Sequence, residues 1–92
     1  MKALIVGSRE LSPDAVSVTP MENRILRVRF ANGELRDFDV TPLLSRKCYR
    51  PLESDVLFQT AHISFGVVEW ANGLDIDPEW LYEDSIAVDF SD

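Results

Sequence analysis

The fold is decided by one stretch of the chain, residues 24–39, which reads RILRVRFANGELRDFD. From residue 26 to residue 30 apolar residues alternate with arginines, with Leu26, Val28 and Phe30 on one face, as in a strand that buries one of its two faces. Asn32-Gly33 follows, and this dipeptide is typical of hairpins because both residues tolerate a positive φ at little cost. The stretch therefore predicts a β-hairpin whose first strand covers residues 24–30.

The turn allows two strand registers. A two-residue loop would set Leu26 opposite Asp39, so that a carboxylate would be buried. A three-residue loop with a left-handed glycine instead pairs Leu26 with Phe38, and Arg27 with Asp37. Apolar residues then face each other and opposite charges face each other, which favours the three-residue loop.

A second segment, residues 70–78, repeats the same local pattern of aromatic residue, Asn-Gly turn, short strand, helix cap and proline. Thr and Asp side chains cap helices well, and a proline at the first helical position lacks an N–H that would have no partner there. A single helical turn is predicted after the first hairpin and a helix over residues 78–84 after the second. The predicted turn and cap residues are Asn32, Gly33, Thr41, Pro42, Asn72, Gly73, Asp77 and Pro78.

The other predicted elements complete an α+β domain. They are, in chain order, a short strand at 3–6, a strand at 15–19 stopped by Pro20, a helix from Pro51 that carries Leu57, Phe58 and Ala61, a strand over 62–70 that bends or turns at Gly66, and an edge strand at 86–90. We expect a small, mostly antiparallel sheet packed against two or three short helices. At 92 residues the chain suits one domain, because two hydrophobic cores would each be too small.

Charge is distributed unevenly along the chain. The net charge is −7, yet residues 24–50 hold seven of the nine basic residues and carry +4. Residues 51–92 contain ten acidic residues and no basic one. Such a chain can pair its own halves, or pair with another copy, and its net charge opposes binding to nucleic acid.

The single cysteine, Cys48, excludes an intramolecular disulfide and a Cys-based zinc site, and it fits a reducing compartment. The apolar run at residues 3–6 is too short for a signal peptide, and no stretch approaches the ~20 apolar residues of a membrane span. We therefore expect a cytoplasmic protein without membrane contact.

Several of these features occur together in one known group of proteins. They are an apolar strand ending at Phe30 with Asn32-Gly33, then Asp39, then Pro51-Leu52 with a helix bearing Phe58, and finally Trp70-x-Asn72-Gly73-x-Asp75-Ile76-x-Pro78 with Leu81-Tyr82. On these residues, the segment from 16 to 82 resembles the small bacterial domain-of-unknown-function family 2442. The closing run is the most specific part of the pattern.

The resemblance implies a compact α+β fold, found alone or joined to a helix-turn-helix DNA-binding domain. It also implies genes that lie beside those of small partner proteins, in the manner of toxin–antitoxin pairs. This chain has no room for the additional DNA-binding domain, so DNA binding does not carry over. The family has no established catalytic residues that could be transferred to this sequence.

Two arrangements invite a chemical interpretation, and neither predicts a site. Asp75, Asp77 and Glu79 alternate like ligands of a hard cation, but the EF-hand pattern fails because its sixth and twelfth positions are not Gly and Glu. A cap and a first-turn acid explain Asp77 and Glu79 better. Cys48 among basic residues could act with His62, yet nothing in the sequence places the two together. We expect no cofactor, no metal and no catalytic activity.

The remaining signal concerns association with a protein. The candidate interaction surface comprises Arg27, Arg29, Arg36, Trp70, Asp75, Trp80 and Tyr82. The arginines could form a basic stripe, although Asp37 is expected to neutralise Arg27. Core packing is the favoured role of the three aromatic residues, and an interface hot spot is the alternative.

The sequence thus favours a non-catalytic interaction or regulatory module with a protein partner. A homodimer is a further option, formed through the predicted edge strands at 3–6 and 86–90. The alternative function is a small-ligand or metal-binding protein, followed by an uncharacterised enzyme.

Overall fold

The computed structural model describes residues 12–88, which form an α+β domain as predicted. The strands are β1 (Ala15–Met21), β2 (Ile25–Phe30), β3 (Leu35–Asp39), β4 (His62–Ser64), β5 (Val67–Glu69) and β6 (Ile86–Ala87). The α-helices are α1 (Asp55–Phe58) and α2 (Pro78–Glu83), and 3₁₀ turns cover Glu22–Arg24, Thr41–Ser45 and Lys47–Glu53. An antiparallel sheet has the order β1-β2-β3-β6, and β4 and β5 form a second, two-stranded sheet. The strand predicted at residues 3–6 lies outside the described residues.

The register of the first hairpin is the one that the sequence predicted. Leu26 pairs with Phe38, and Arg27 pairs with Asp37. Gly33 has a φ of 92°, the left-handed conformation that the three-residue loop requires.

The second Asn-Gly turn has the same geometry at its tip and a different continuation. Gly73 has a φ of 91°, and its N–H donates to the Trp70 carbonyl at 2.9 Å. The strand predicted after it is reduced to one isolated bridge between Glu69 and Asp75. The short β5 strand offers few further residues for pairing.

Helix α2 begins as predicted. The Asp77 carboxylate accepts a hydrogen bond from the Glu79 N–H at 2.9 Å, and Pro78 follows the cap directly. Glu79 lies in the first turn, where the positive end of the helix dipole favours an acid.

The cap predicted at Thr41 is wrong. Val40 occupies the cap position, and Thr41 contributes its backbone N–H, which donates to the Asp39 carboxylate at 2.9 Å. The reason is that an Asp side chain reaches the amide two residues ahead of it and closes a turn there. Pro42 therefore lies one residue further into the 3₁₀ turn than predicted.

The helix predicted from Pro51 begins later and is shorter. Pro51 belongs to the 3₁₀ turn Lys47–Glu53, and α1 covers only Asp55–Phe58. Ser54 separates the two because its backbone is extended, and its Oγ accepts the Leu57 N–H at 3.3 Å as a helix cap.

Strand β1 continues through Pro20 to Met21, beyond the predicted end. An edge strand tolerates proline, because the missing N–H points away from the neighbouring strand. The segment predicted as a strand over 62–70 that bends or turns at Gly66 is a tight hairpin, whose turn is Phe65-Gly66. It lies against β1, where the Ala15 N–H donates to the Gly66 carbonyl at 3.1 Å.

The hydrophobic core lies on the side of the four-stranded sheet that faces the helices and the second hairpin. Its buried residues are Ala15, Leu26, Val28, Phe30, Phe38, Val40, Leu43, Leu52, Phe58, Val68, Trp70, Ile76 and Leu81. Trp70 is the largest of them, and its Nε1–H donates to the Phe58 carbonyl at 3.2 Å. A buried indole that keeps its hydrogen bond contributes apolar area without leaving a donor unsatisfied.

Candidate interaction surface

The three arginines of the predicted basic stripe do not lie on one face of the hairpin. Arg36 pairs with Val28, whose side chain is buried, so Arg36 projects towards the core side of the sheet. Arg27 and Arg29 alternate with Val28 and project from the opposite, outer face. The three arginines therefore lie on two different faces of the sheet and do not form one basic stripe.

Arg27 is neutralised by its cross-strand neighbour, as expected. Its Nε and Nη2 atoms donate to the two Asp37 carboxylate oxygens at 2.9 and 3.0 Å. This bidentate hydrogen bond, and then the charge of Asp37, raise the pKa of Arg27 above its ordinary value. Arg29 is exposed and donates to the Gly33 carbonyl at 3.1 Å.

Arg36 and Tyr82 belong to a polar network that joins α2 to the first hairpin. The Arg36 guanidinium donates to Ser85 Oγ and to the Ser85 carbonyl, each at 2.7 Å, and to the Glu34 carboxylate at 2.8 Å. It also stacks 4.5 Å from the centre of the Tyr82 ring. Tyr82 donates its hydroxyl to Glu34 at 2.9 Å and packs edge-on against Phe30.

This network explains the acidity of Glu34. The Tyr82 hydroxyl and then the Arg36 guanidinium hydrogen-bond to the carboxylate, and both hold the pKa of Glu34 below its ordinary value. The donors of Arg36 and the hydroxyl of Tyr82 are thus engaged within the fold.

The three other residues of the predicted surface are placed differently. Trp70 is 1 % exposed and lies in the core, so it offers no surface. Trp80 is half-buried between Phe38 and Tyr49. Asp75 is exposed, and its carbonyl accepts the Tyr49 hydroxyl at 2.8 Å.

Trp80 is further enclosed by polar groups from two elements. The Arg46 guanidinium lies 5.3 Å from the centre of a Trp80 ring, and the indole N–H donates to Asp84, the residue directly after α2. Sequence reasoning did not single out Arg46 or Tyr49, because only the tertiary fold brings the 3₁₀ turn after Ser45 against α2.

Within residues 12–88, no three His, Cys, Asp or Glu side chains converge in a way that could hold a metal ion. The Asp77 carboxylate that a cation would need caps α2. Cys48 is exposed, and His62 has its Nδ1 2.9 Å from the Thr60 carbonyl and its Nε2 3.5 Å from Glu69.

An open groove of about 860 Å³ lies beside the turn that joins β1 to β2. Arg24 lines it and makes three hydrogen bonds within the fold. Its guanidinium donates to the carbonyls of Leu52 and Glu53 at 3.0 and 2.7 Å and to Asp55 at 3.1 Å. The second arginine of the groove is Arg27, held by Asp37. Both arginines therefore have carboxylate partners within the fold, which makes them weaker candidates for the convergent charged group that fixes a small ligand.

Large apolar side chains are exposed instead. The four that the described residues leave in solvent are Val16 (52 %), Val56 (81 %), Phe65 (102 %) and Ile86 (75 %). Phe65 also has a positive φ of 52°, and Gly66 after it has a φ of 79°. The sequence signal for this site is an aromatic residue at a position where a two-residue turn prefers Asn, Asp or Gly.

A protein-family model described as Protein of unknown function (DUF2442) matches residues 15–87. No curated protein and no solved structure matches the chain. No helix among the described residues has the length and apolar character needed to cross a bilayer.

Proposed function

This chain belongs to the DUF2442 family of proteins of unknown function, and from that premise we propose that it is a non-catalytic protein-interaction module. Its setting is the bacterial cytoplasm and its role is regulatory. The partner is another protein, which it binds through apolar side chains that the fold leaves in water.

One contrast supports this proposal. Several polar side chains at the candidate sites have partners inside the fold: Arg24, Arg27, Arg36, Glu34 and Asp77 are all hydrogen-bonded. Phe65 has no such role, because its side chain is fully exposed. Exposed aromatic residues are among the preferred anchors of protein interfaces.

Charge supports a basic partner. The net charge is −7, and the residues after position 50 include ten acidic and no basic ones. A surface of this sign speeds the encounter with a positively charged protein and repels an acidic one.

The test combines capture in the native host with reconstitution. We expect the tagged full chain to retain one protein at a fixed ratio, and that purified protein to bind the purified chain in calorimetry with a saturable 1:1 isotherm. A host protein that is captured but does not bind in the purified system would count against the proposal. So would a failure to retain any protein.

The same preparation tests the alternatives. A melting temperature that rises with added calcium or magnesium would favour a metal-binding protein instead. A light-scattering mass of two chains across micromolar concentrations would identify a second copy as the partner.

A further inference from the structure

We infer that Phe65 is an aromatic anchor that inserts into an apolar pocket of a basic protein partner, with a cation of that partner placed against Asp14. The inference rests on the proposed function and names the residue and the partner chemistry through which it works.

The backbone at position 65 is unfavourable for the residue that occupies it. Phe65 and Gly66 form the two-residue turn that joins β4 to β5, and both have a positive φ. In such a turn Gly, Asn and Asp are favoured, whereas a bulky side chain brings its Cβ too close to the neighbouring carbonyl. A hairpin built for stability alone would place Asn at this position.

Within residues 12–88, no contact of the side chain compensates for that choice. The Phe65 side chain is 102 % exposed, so it makes no packing contact that could offset the strained turn. Arg24 provides the contrast, since it also has a positive φ, of 59°, but makes three hydrogen bonds to the segment 52–55. A residue that is strained and makes no stabilising contact within the described fold points to a contact with another molecule.

The turn is held in place, so the aromatic ring is presented from a fixed support. The Gly66 carbonyl accepts the Ala15 N–H at 3.1 Å, which ties the tip of the hairpin to the start of β1. Asp14 packs against the same turn, because a Cβ added to Gly66 would lie 2.9 Å from Asp14 Cγ. A preorganised anchor loses less conformational entropy when it binds.

The surroundings of the ring define the partner. Val16 follows Ala15, whose N–H is bonded to the Gly66 carbonyl, and its 52 % exposed side chain adds apolar surface to this end of β1. Asp14 is exposed next to Gly66 and supplies a negative charge at the edge of that surface. A complementary surface therefore has an apolar pocket with a Lys or Arg at its rim.

The groove found among residues 12–88 is a poor match for that surface in a second copy of this chain. Charged side chains, among them Glu22, Arg24 and Asp55, line this groove of about 860 Å³ together with the apolar Pro20, Met21 and Ile25. A phenyl ring placed there would lie against hydrogen-bonded ions as well as apolar groups. The geometry therefore favours a different protein as the partner.

Site-specific photo-crosslinking tests where the partner sits. The full chain would carry p-benzoylphenylalanine in place of Phe65, expressed in the native host, with the same group in place of Val56 as the matched control. Val56 is also apolar and 81 % exposed, but it lies on α1. We expect one discrete adduct from position 65 and none from position 56, with the crosslink mapped to an apolar pocket flanked by Lys or Arg.

An adduct of twice the chain's mass would overturn the inference in favour of a second copy. Equal adducts from both positions, or no adduct from position 65, would also overturn it. A crosslink that maps to a polar surface would do the same.

Substitution then separates the anchor from a merely structural residue. With the partner purified by capture, Phe65→Asn should weaken binding about tenfold or more, while the urea midpoint stays the same or rises. Val56→Asn should leave binding unchanged. Asp14→Asn should weaken binding less than Phe65→Asn and reduce its salt dependence.

The outcomes distinguish this inference from the proposed function. If Phe65→Asn binds the captured partner as tightly as the wild type, the chain remains an interaction module but Phe65 is not its anchor. If no protein partner can be reconstituted at all, the proposed function fails as well. A lower urea midpoint for Phe65→Asn would show that the residue serves the fold, and would also overturn the inference.

Discussion

The Asn32-Gly33 turn and the Phe65-Gly66 turn each connect the two strands of an antiparallel hairpin. They differ in whether their residues stabilise the turn. In the first, the glycine takes the positive φ and the Asn32 side chain accepts the Glu34 N–H at 3.0 Å. In the second, a phenylalanine takes a positive φ of 52° and leaves its ring in water. The first residue pair lowers the free energy of the turn, and the second raises it.

The Asn72-Gly73 turn resembles the first turn in having its positive φ on the glycine, whereas both residues of the Phe65-Gly66 turn have a positive φ. Its Asn72 side chain accepts the Leu74 N–H at 3.1 Å, which matches the bond in the first turn. The two Asn-Gly turns thus carry residues that stabilise the turn. The third turn departs from this pattern, because Phe65 destabilises it. The departure marks position 65 as the place where function, and not folding, accounts for the residue.

The largest expected effect tests the two glycine positions. Gly33→Val and Gly73→Val should each lower the free energy of unfolding by about 1–3 kcal/mol, measured by urea denaturation. The cause is the backbone alone, because a Cβ at either position meets no atom within 4 Å. Gly33→Asn should cost much less, because Asn tolerates the left-handed conformation. Unchanged midpoints for both valine variants would show that the turns do not need glycine.

The next effect concerns the helical segments that come after the two Asn-Gly turns. Asp77→Ala should lower the free energy of unfolding by about 0.5–2 kcal/mol, and Asp77→Asn by much less, because Asn caps a helix nearly as well. Thr41→Ala is the matched control at the corresponding position after the first turn, and it should be nearly neutral because Asp39 supplies the hydrogen bond there. Equal losses in the free energy of unfolding for Asp77→Ala and Thr41→Ala would show that the two positions do not differ in helix capping.

A smaller effect of opposite sign is expected at the third turn. Phe65→Asn should raise the free energy of unfolding by about 0.5–1 kcal/mol, because Asn adopts a positive φ more readily than Phe. Phe65→Leu, which keeps a bulky apolar side chain, should give no such gain. Urea denaturation measures both, and a loss of stability in Phe65→Asn would contradict our interpretation of the turn.

The smallest effect distinguishes the two Asn-Gly turns by pH. Glu34 follows the first turn with its pKa lowered by Tyr82 and Arg36, whereas the uncharged Leu74 follows the second. A lowered pKa in the folded state means that Glu34 stabilises the fold above its ordinary pKa of 4.5 and that this contribution is lost as pH falls through the folded-state value.

Tyr82→Phe removes the hydroxyl that contributes most to this shift. The pKa of Glu34 should then rise towards its ordinary value, as measured by NMR titration of the side-chain carboxyl. The same substitution should not change how the Leu74 chemical shifts respond to pH. A Glu34 pKa that does not move in the variant would show that the Tyr82 hydrogen bond has no part in it.

Local sequence rules predicted the parts of the fold that depend on neighbours in the chain. The hairpin register followed from the alternation around Leu26, and the cap of α2 from Asp77-Pro78. The same rules misplaced the cap at Thr41 and began the helix at Pro51 too early. In both cases a side chain nearby, Asp39 or Ser54, competes for the same backbone amides, and residue type alone does not show which one succeeds.

The candidate surface was less predictable. Arg27, Arg29 and Arg36 were grouped by their proximity in sequence, and the pleat of the sheet places Arg36 on the other side. Trp70 and Tyr82 are common interface residues, and here Trp70 fills the core and Tyr82 holds Glu34. Phe65 was not singled out, because the bend or turn predicted within residues 62–70 was assigned to Gly66 alone.

The sequence by itself determined the class of fold, the two Asn-Gly turns and their register, and the family, because each depends on contacts between residues that are close in the chain. Only the tertiary structure decided which side chains remain in water. Exposure depends on how distant segments pack, as when β1 ties down the β4–β5 turn through Ala15 and Gly66 and leaves Phe65 outside the core.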